Sequence, residues 1–135
     1  MIPLQICVLD LGVLISGGYN RNGAVYQSVE IYNPSTNTTC SLPKLPVGRY
    51  GHTQDVNLAC GGPSSSTRTT CVKWSSESGS WTQSHTLRQK RYGHKSWVTK
   101  DGVYLMGGHF SYSTTELVKE DGSVEDGFSL KYDTV

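Results

Sequence analysis

The chain alternates short apolar runs with clusters of Gly, Ser, Asn and Pro, and three of the runs end in the same way. Residues 13–16, 58–60 and 103–106 are each followed directly by Gly-Gly, and the three Gly-Gly pairs are spaced by 44 and 46 residues. No helical periodicity persists for more than about two turns, whereas Val, Ile, Thr, Tyr and Trp are plentiful in the runs. The pattern predicts short β-strands arranged in three structural repeats.

A second element marks the same repeats. The tetrapeptide Arg-Tyr-Gly-His occurs at residues 49–52 and again at residues 91–94, in each case just before an apolar run that ends in Gly-Gly. His52 and His94 have the chemistry for a metal site or an acid–base pair, but residues that recur at one place in successive repeats are more typical of architecture. We therefore expect Arg49 and Arg91 to satisfy backbone carbonyls between repeats, since a guanidinium carries five donors.

Each repeat is predicted to contain four strands. The predicted strands lie near residues 4–9, 13–16, 28–32 and 39–41 in the first repeat, near 52–57, 58–60, 70–74 and from 80 onward in the second, and near 94–99, 103–106, 114–118 and 127–130 in the third. Tight turns are expected at Asp101-Gly102 and Asp121-Gly122, because Asp-Gly tolerates positive φ. The segment 77–79 is predicted to turn the chain between Trp74 and Trp81.

The repeats resemble those of the kelch family. The resemblance is carried by the three Gly-Gly pairs, by Tyr32 with Asn33-Pro34 after it, by Trp74 and Trp81, and by the two Arg-Tyr-Gly-His segments. It implies an all-β fold, a kelch-type β-propeller with about three four-stranded antiparallel blades in an incomplete ring. The blades would span residues 1–46, 47–88 and 89–131, and residues 132–135 would begin a further repeat.

Three residues depart from the kelch pattern. Cys40 in the first repeat and Phe128 in the third stand where the Trp that opens strand four is expected, and Val118 replaces the aromatic of strand three. The number of repeats is also low, since propellers typically close with about four to eight blades. We expect this chain to be a section of a longer propeller with missing blades, and a homodimer of two three-blade halves is the alternative.

Composition limits the possible partners. The formal net charge is +1 and no basic patch is visible in the sequence, so a nucleic-acid partner is not expected. No run of eighteen apolar residues is present, which argues against membrane insertion. The acidic residues near the C-terminus are interpreted as a solvated edge. They are Glu116, Glu120, Asp121, Glu125 and Asp126.

The four cysteines allow two interpretations. Cys7, Cys40, Cys60 and Cys71 lack the spacing of a zinc site, and they form either two disulfides or four buried thiols. Cys60 and Cys71 lie on adjacent predicted strands and are the first choice for a bridge, with Cys7 and Cys40 joined or free. Asn37 begins an N-glycosylation triplet. Together these features favour an extracellular over a cytoplasmic location.

The loops between strands two and three vary in length and content and are the predicted binding site, since propeller loops carry function on a fixed scaffold. The candidate binding residues are Tyr19, Asn20, Arg21, Asn22, Tyr26, Arg68, His109, Phe110 and Tyr112. No catalytic residue, metal ligand or cofactor is predicted. The kelch resemblance favours a non-enzymatic module for an unknown protein or peptide partner. The alternatives are an extracellular glycan-binding protein and a fragment of a galactose-oxidase-like copper enzyme.

Overall fold

The structure is a computed structural model that describes residues 12–131. Within this range the chain forms β-strands and turns and contains no helix. The described strands, numbered along the chain, are β1 (Val13–Ser16), β2 (Val29–Asn33), β3 (Thr38–Leu42), β4 (Thr53–Asp55), β5 (Leu58–Cys60), β6 (Thr70–Ser75), β7 (Ser80–Thr86), β8 (Lys95–Thr99), β9 (Gly102–Met106), β10 (Thr115–Val118) and β11 (Val124–Asp126).

The strands form three antiparallel sheets in which each strand pairs with the next along the chain. Sheet I contains β1 to β3, sheet II contains β4 to β7 and sheet III contains β8 to β11. The predicted all-β fold and the four-stranded unit are therefore present in sheets II and III. A strand was also predicted at residues 4–9, at the start of the first repeat, and it would bring sheet I to four strands. These residues lie outside the described range.

The second strand of every repeat was predicted well, because Gly-Gly ends it. β1 and β5 have the predicted bounds, and β9 begins one residue early, at Gly102. The three predicted turns are also confirmed, with Gly79, Gly102 and Gly122 at φ of 64°, 137° and 93°.

The fourth strand of sheet III was predicted wrongly. The predicted segment 127–130 follows the observed strand β11, which begins as soon as the Asp121-Gly122 turn closes. Val124 pairs with Val118 in the way that Trp81 pairs with Trp74, so Val124 and not Phe128 occupies the Trp position. In sheet I the residue opposite Tyr32 is Thr39 and not Cys40.

Apolar side chains pack between consecutive sheets in two separate clusters. The cluster between sheets I and II contains Leu14, Val29, Leu45, Ala59, Val72, Trp74 and Trp81. The cluster between sheets II and III contains Leu58, Cys60, Cys71, Leu87, Leu105 and Val118. Sheet II contributes one face to each cluster, whereas sheet I contributes only to the first and sheet III only to the second. The sheets are therefore stacked face to face in chain order, and each provides part of the core of its neighbour.

A leucine in each connection repeats the same contact. The backbone N–H of Leu45 donates to the carbonyl of Gln27 (2.8 Å), that of Leu87 to Thr69 (2.7 Å) and that of Leu130 to Ser113 (2.8 Å). Leu45 and Leu87 are buried between sheets. The segment after β11 thus closes sheet III as the two earlier connections close sheets I and II.

Candidate functional site

One end of the stack of sheets carries the predicted binding loops. In an antiparallel four-stranded unit, the loop between strands two and three and the connection to the next unit leave from the same end. We call this end the loop face and define it by residues 17–28, 43–52, 61–69, 87–94 and 107–114. Both Arg-Tyr-Gly-His segments therefore lie on the loop face, beside the loops that follow Gly-Gly.

Arg49 joins sheet I to sheet II from beneath the loop face. Its backbone carbonyl accepts a hydrogen bond from the N–H of Gly18 (2.9 Å). Its guanidinium donates to the carbonyls of Gly61 (3.0 Å) and Thr70 (3.1 Å) in sheet II. The side chain is buried, and burial lowers the pKa of Arg49 to about 10, so it remains charged at neutral pH.

Arg91 repeats this arrangement between sheets II and III. Its carbonyl accepts from Gly62 N–H (3.0 Å), and its guanidinium donates to the carbonyls of Gly107 and Thr114, both at 2.9 Å. It also forms an ion pair with Glu116 (2.7 Å), and both side chains are fully buried. The expectation that the arginines satisfy backbone carbonyls between repeats is confirmed. The interpretation of Glu116 as part of a solvated edge is wrong, because Glu116 neutralises the buried guanidinium.

The two histidines of the repeated motif hold neighbouring sheets together in the neutral form. The hydroxyl of Ser16 donates to Oε1 of Gln54 (2.6 Å), so Nε2 of His52 is the donor in its 2.9 Å contact with that hydroxyl. His94 Nε2 lies 3.1 Å from the hydroxyl of Thr53. Burial, followed by the charge of the nearby arginine, lowers the pKa of His52 to about 4 and that of His94 to about 3.

These contacts support the architectural interpretation of both histidines. Among residues 12–131, no three His, Cys, Asp or Glu side chains are grouped closely enough to hold a metal ion. The rings of His52 and His94 instead lie against Gly17 and Gly61, where an added Cβ would come within 2.8 Å and 2.6 Å of His Cε1. The first glycine of the first two Gly-Gly pairs is thus required by the histidine of the following repeat.

Four of the predicted binding residues come together in one aromatic cluster, formed by Tyr92, His109, Phe110 and Tyr112 with Arg68 at its margin. The Tyr92 ring centroid lies 4.8 Å from that of His109 and 5.7 Å from that of Phe110. His109 lies 5.7 Å from Tyr112, and the Arg68 guanidinium lies 5.0 Å from the Phe110 centroid. Phe110 is 49% exposed and Tyr112 is 37% exposed. The cluster is a cationic and aromatic surface of the kind that proteins use for recognition.

Phe110 has an unusual backbone conformation. Its φ is 76°, in the left-handed region that costs a bulky residue free energy. Strain of this kind is concentrated at sites with a function, where the surrounding structure compensates for it. Here the turn holds the Phe110 ring outward, between Tyr92 and Arg68.

Sequence reasoning missed the tyrosines of the repeated motif. Tyr92 forms a β-bridge with His109, which places it at the centre of the aromatic cluster. Tyr50 likewise packs on Tyr19, with ring centroids 4.5 Å apart. The two motifs are also joined directly, because Gly93 N–H donates to the Gly51 carbonyl (2.6 Å). The signal that could have revealed them was the Tyr that stands between Arg and Gly in both copies of the motif.

The remaining candidates lie on the first loop, apart from the aromatic cluster. The side chain of Asn20 accepts the N–H groups of Asn22 and Ala24, both at 3.0 Å, and so shapes the turn. Arg21 and Asn22 are exposed at its tip. Tyr26 is 43% exposed, and its backbone N–H donates a hydrogen bond to the carbonyl of Gly18. The structure therefore divides the nine candidates between two neighbouring patches.

The predicted bridge between Cys60 and Cys71 is present. The two residues pair across β5 and β6 with their Cα atoms 4.1 Å apart, and both are buried between sheets II and III. Cys40 is also disulfide-bonded. Cys7, its predicted partner, lies outside the described residues. A disulfide is weakly consistent with an extracellular location.

A cleft of about 330 Å³ lies between sheets II and III at the end opposite the loop face. Its walls mix apolar side chains with charges of both signs, including Asp55, Lys73 and Asp101. Asp55 accepts a hydrogen bond from Ser96 (3.0 Å), and burial raises its pKa. Nothing in this mixture selects one ligand, and the aromatic cluster on the loop face remains the better candidate.

Comparisons with known proteins support the fold and leave the function open. No protein-family model matches the sequence, and no curated protein matches it. The solved structure of YjhT is similar, with a TM-score of 0.72 and 15% sequence identity over 94% of this chain. The match covers 52% of YjhT, so this chain spans about half the length of that protein. No helix among the described residues is long and apolar enough to cross a membrane.

Proposed function

We propose that this chain is a section of a kelch-type β-propeller that binds a protein or peptide partner through its loop face, without catalysis. The propeller assignment is supported by three sheets in chain order, linked by the same Arg, His and Gly-Gly contacts at each junction. The chain matches about half of YjhT, which agrees with further sheets, or a second copy of this chain, supplying the remainder of the proposed ring. We place the protein outside the cell, on the basis of its disulfides.

The observation that carries the binding proposal is the aromatic cluster on its buried polar support. Arg91 lies directly beneath it, since its guanidinium binds the carbonyls that begin and end the loop bearing His109, Phe110 and Tyr112. The Ser111 hydroxyl also donates to the Lys90 carbonyl (2.7 Å) and fixes the loop to the preceding connection. Exposed aromatic side chains on a rigid frame lose little conformational entropy on binding, which is why they are favoured at interfaces.

The test is a comparison of partner capture by matched variants. The unmodified chain and its Phe110→Ser/Tyr112→Ser and Val56→Ser variants would be immobilised and exposed to the same extract, and bound proteins would be quantified by mass spectrometry. We expect the double variant to lose specific partners that Val56→Ser retains, because Val56 is exposed in the turn between β4 and β5, at the end opposite the loop face. If no captured protein depends on the loop face, the proposed function is wrong.

A further inference from the structure

The charges of this nearly neutral chain are separated between its two ends. The loop face contains seven cationic residues and no acidic residue. They are Arg21, Lys44, Arg49, Arg68, Arg88, Lys90 and Arg91. The turns at the opposite end, at residues 34–37, 56–57, 76–79, 100–101 and 119–123, contain two lysines and four acidic residues. The whole chain has 12 Lys and Arg against 11 Asp and Glu, so net charge conceals a cationic surface.

Four of the seven cations are available to a partner. Arg49 and Arg91 are buried and bound by carbonyls, and Arg88 is paired with Asp126 (3.0 Å). The others are Arg21, Lys44, Arg68 and Lys90, and none of them forms an ion pair among the described residues. Three are exposed, and Arg68 is half-buried against Phe110. An anionic partner would therefore have no carboxylate of the described residues to displace from these four side chains.

The aromatic cluster favours a peptide over a sugar as that anion. The rings contact one another at interplanar angles of 40° to 88°, and Arg68 covers one face of Phe110. Little flat, open ring surface remains for stacking a sugar. Tilted rings instead present edges, which carry partial positive charge and attract carboxylates. Phe110 and Tyr112 still expose apolar area that an aliphatic or aromatic side chain can cover.

We infer that the loop face binds an acidic segment of its partner protein, with carboxylates at Arg68 and Lys90 and an apolar side chain against Phe110 and Tyr112. This inference rests on the proposed function and specifies the chemistry of the partner. Electrostatic complementarity of this kind steers the encounter and selects among partners.

The probe is a library of random 12-residue peptides displayed on phage and selected against the whole chain. We expect the selected peptides to be enriched in Asp and Glu next to one or two apolar residues. Their affinity, measured by fluorescence anisotropy of the synthetic peptides, is expected to fall about tenfold in Arg68→Gln/Lys90→Gln. The control Lys73→Gln/Lys100→Gln removes the same charge from the opposite end and is expected to leave the affinity unchanged. Thermal melting of each variant verifies that it is folded.

The outcomes separate this inference from the proposed function. Selected peptides that lack acidic residues but require Phe110 would overturn the acidic partner and keep the binding site. Peptides that bind the Phe110→Ser/Tyr112→Ser variant as well as the unmodified chain would contradict the proposed function itself. Heparin oligosaccharides that bind through Arg68 and Lys90 while no peptide is selected would identify an anionic glycan and overturn the inference. Equal binding of every acidic peptide, whatever its apolar residues, would indicate unspecific charge attraction only.

Discussion

Arg49 and Arg91 occupy equivalent positions but meet different acceptors. Glu116 pairs with Leu105 in sheet III, and Val72 pairs with Ala59 in sheet II. Leu105 and Ala59 occupy equivalent positions, because each stands at the same distance before the Gly-Gly pair of its sheet. Val72 therefore stands where sheet III has Glu116, and Nε of Arg49 has no hydrogen-bond partner among the described atoms. Arg91 is fully compensated by a buried carboxylate, whereas Arg49 depends on carbonyls and a hydroxyl alone.

This difference predicts unequal effects of two matching substitutions. Arg91→Ala leaves the Glu116 carboxylate buried without its cation and is expected to lower the free energy of unfolding by about 3–5 kcal/mol. Arg49→Ala leaves only neutral carbonyls unpaired and is expected to cost about 1–3 kcal/mol. Urea denaturation followed by Trp fluorescence measures both values. Arg88→Ala is the control, because its exposed ion pair is worth less than about 1 kcal/mol.

A second variant tests the cause. If the stranded carboxylate is responsible, Arg91→Ala/Glu116→Gln should recover part of the loss, since the neutral side chain still accepts the N–H of Arg88. Equal destabilisation by Arg91→Ala and Arg49→Ala would contradict a special role for the buried ion pair.

The two motif histidines predict a loss of stability in mild acid. In the unfolded chain each imidazole takes up a proton near pH 6.5, whereas in the folded protein the pKa of His52 is about 4 and that of His94 about 3. The unfolded state therefore binds more protons as the pH falls below 6.5, and stability decreases with it. At pH 5 the loss is on the order of 2 kcal/mol for each histidine, from about 1.4 kcal/mol per pH unit.

Denaturation between pH 7 and pH 5 checks this dependence. His94→Gln removes one of the two groups and is expected to halve the change in stability over that range, even though the variant is less stable at pH 7. His109→Gln, on the exposed loop, is the control. An unchanged slope in His94→Gln would show that His94 does not remain neutral in the folded protein.

At the scale of the element, Gly-Gly ends β1 and β5 where the next repeat passes against these strands. An added Cβ at Gly61 would lie 2.7 Å from the Arg91 carbonyl and 2.6 Å from His94 Cε1, and the φ of Gly61 is 82°. Gly79, in the β6–β7 turn, has a φ of 64° and nothing within 4 Å of its added Cβ. Both glycines have a positive φ, but only Gly61 lies in close contact with the next repeat.

Gly61→Ala and Gly79→Ala therefore separate backbone strain from close packing. Gly79→Ala is expected to cost about 1 kcal/mol, the penalty for an L-residue at positive φ. Gly61→Ala is expected to cost at least about 2 kcal/mol more, because overpacking against a backbone carbonyl is added to that penalty. Thermal and urea unfolding of both variants provides the comparison. Similar losses of unfolding free energy in the two variants would mean that the junction between sheets II and III rearranges to accommodate the added methyl group.

The elements that were predictable from the sequence are those fixed by local chemistry. β1 and β5 end at Gly-Gly, and the Asp-Gly turns require positive φ, so a single stretch of sequence determines them. β11 was misplaced because Phe128 was matched to Trp81, although hydrogen bonding to β10 begins directly after the turn. Tyr92 was missed as a site residue because its contacts with His109 and Phe110 arise only when two repeats are stacked.

At the scale of the whole molecule, the two outermost faces of the stack have no sheet packed against them among residues 12–131, unlike the inner faces. Ile15 matches Ala59 and Leu105 in register, yet it is 54% exposed while both of those residues are fully buried. On sheet III the rings of Trp97, Tyr104 and Phe128 form a row with centroids 5.6 Å and 5.5 Å apart, and Trp97 is 55% exposed. Apolar faces of this kind are typical of surfaces that bind another protein element.

The last prediction concerns these faces. When the 135 residues are expressed alone, the outer face of sheet III should bind the outer face of sheet I of another copy, because both repeat the chemistry of the two inner junctions. Such a head-to-tail contact gives a closed dimer of six sheets if the rotation closes, and open oligomers if it does not.

Sedimentation velocity across micromolar concentrations is expected to show one of these species. Trp97→Lys/Phe128→Lys should shift it to monomer, whereas Phe110→Lys on the loop face should not. A monomer at all concentrations that unfolds in one cooperative transition would contradict both ways of completing the ring.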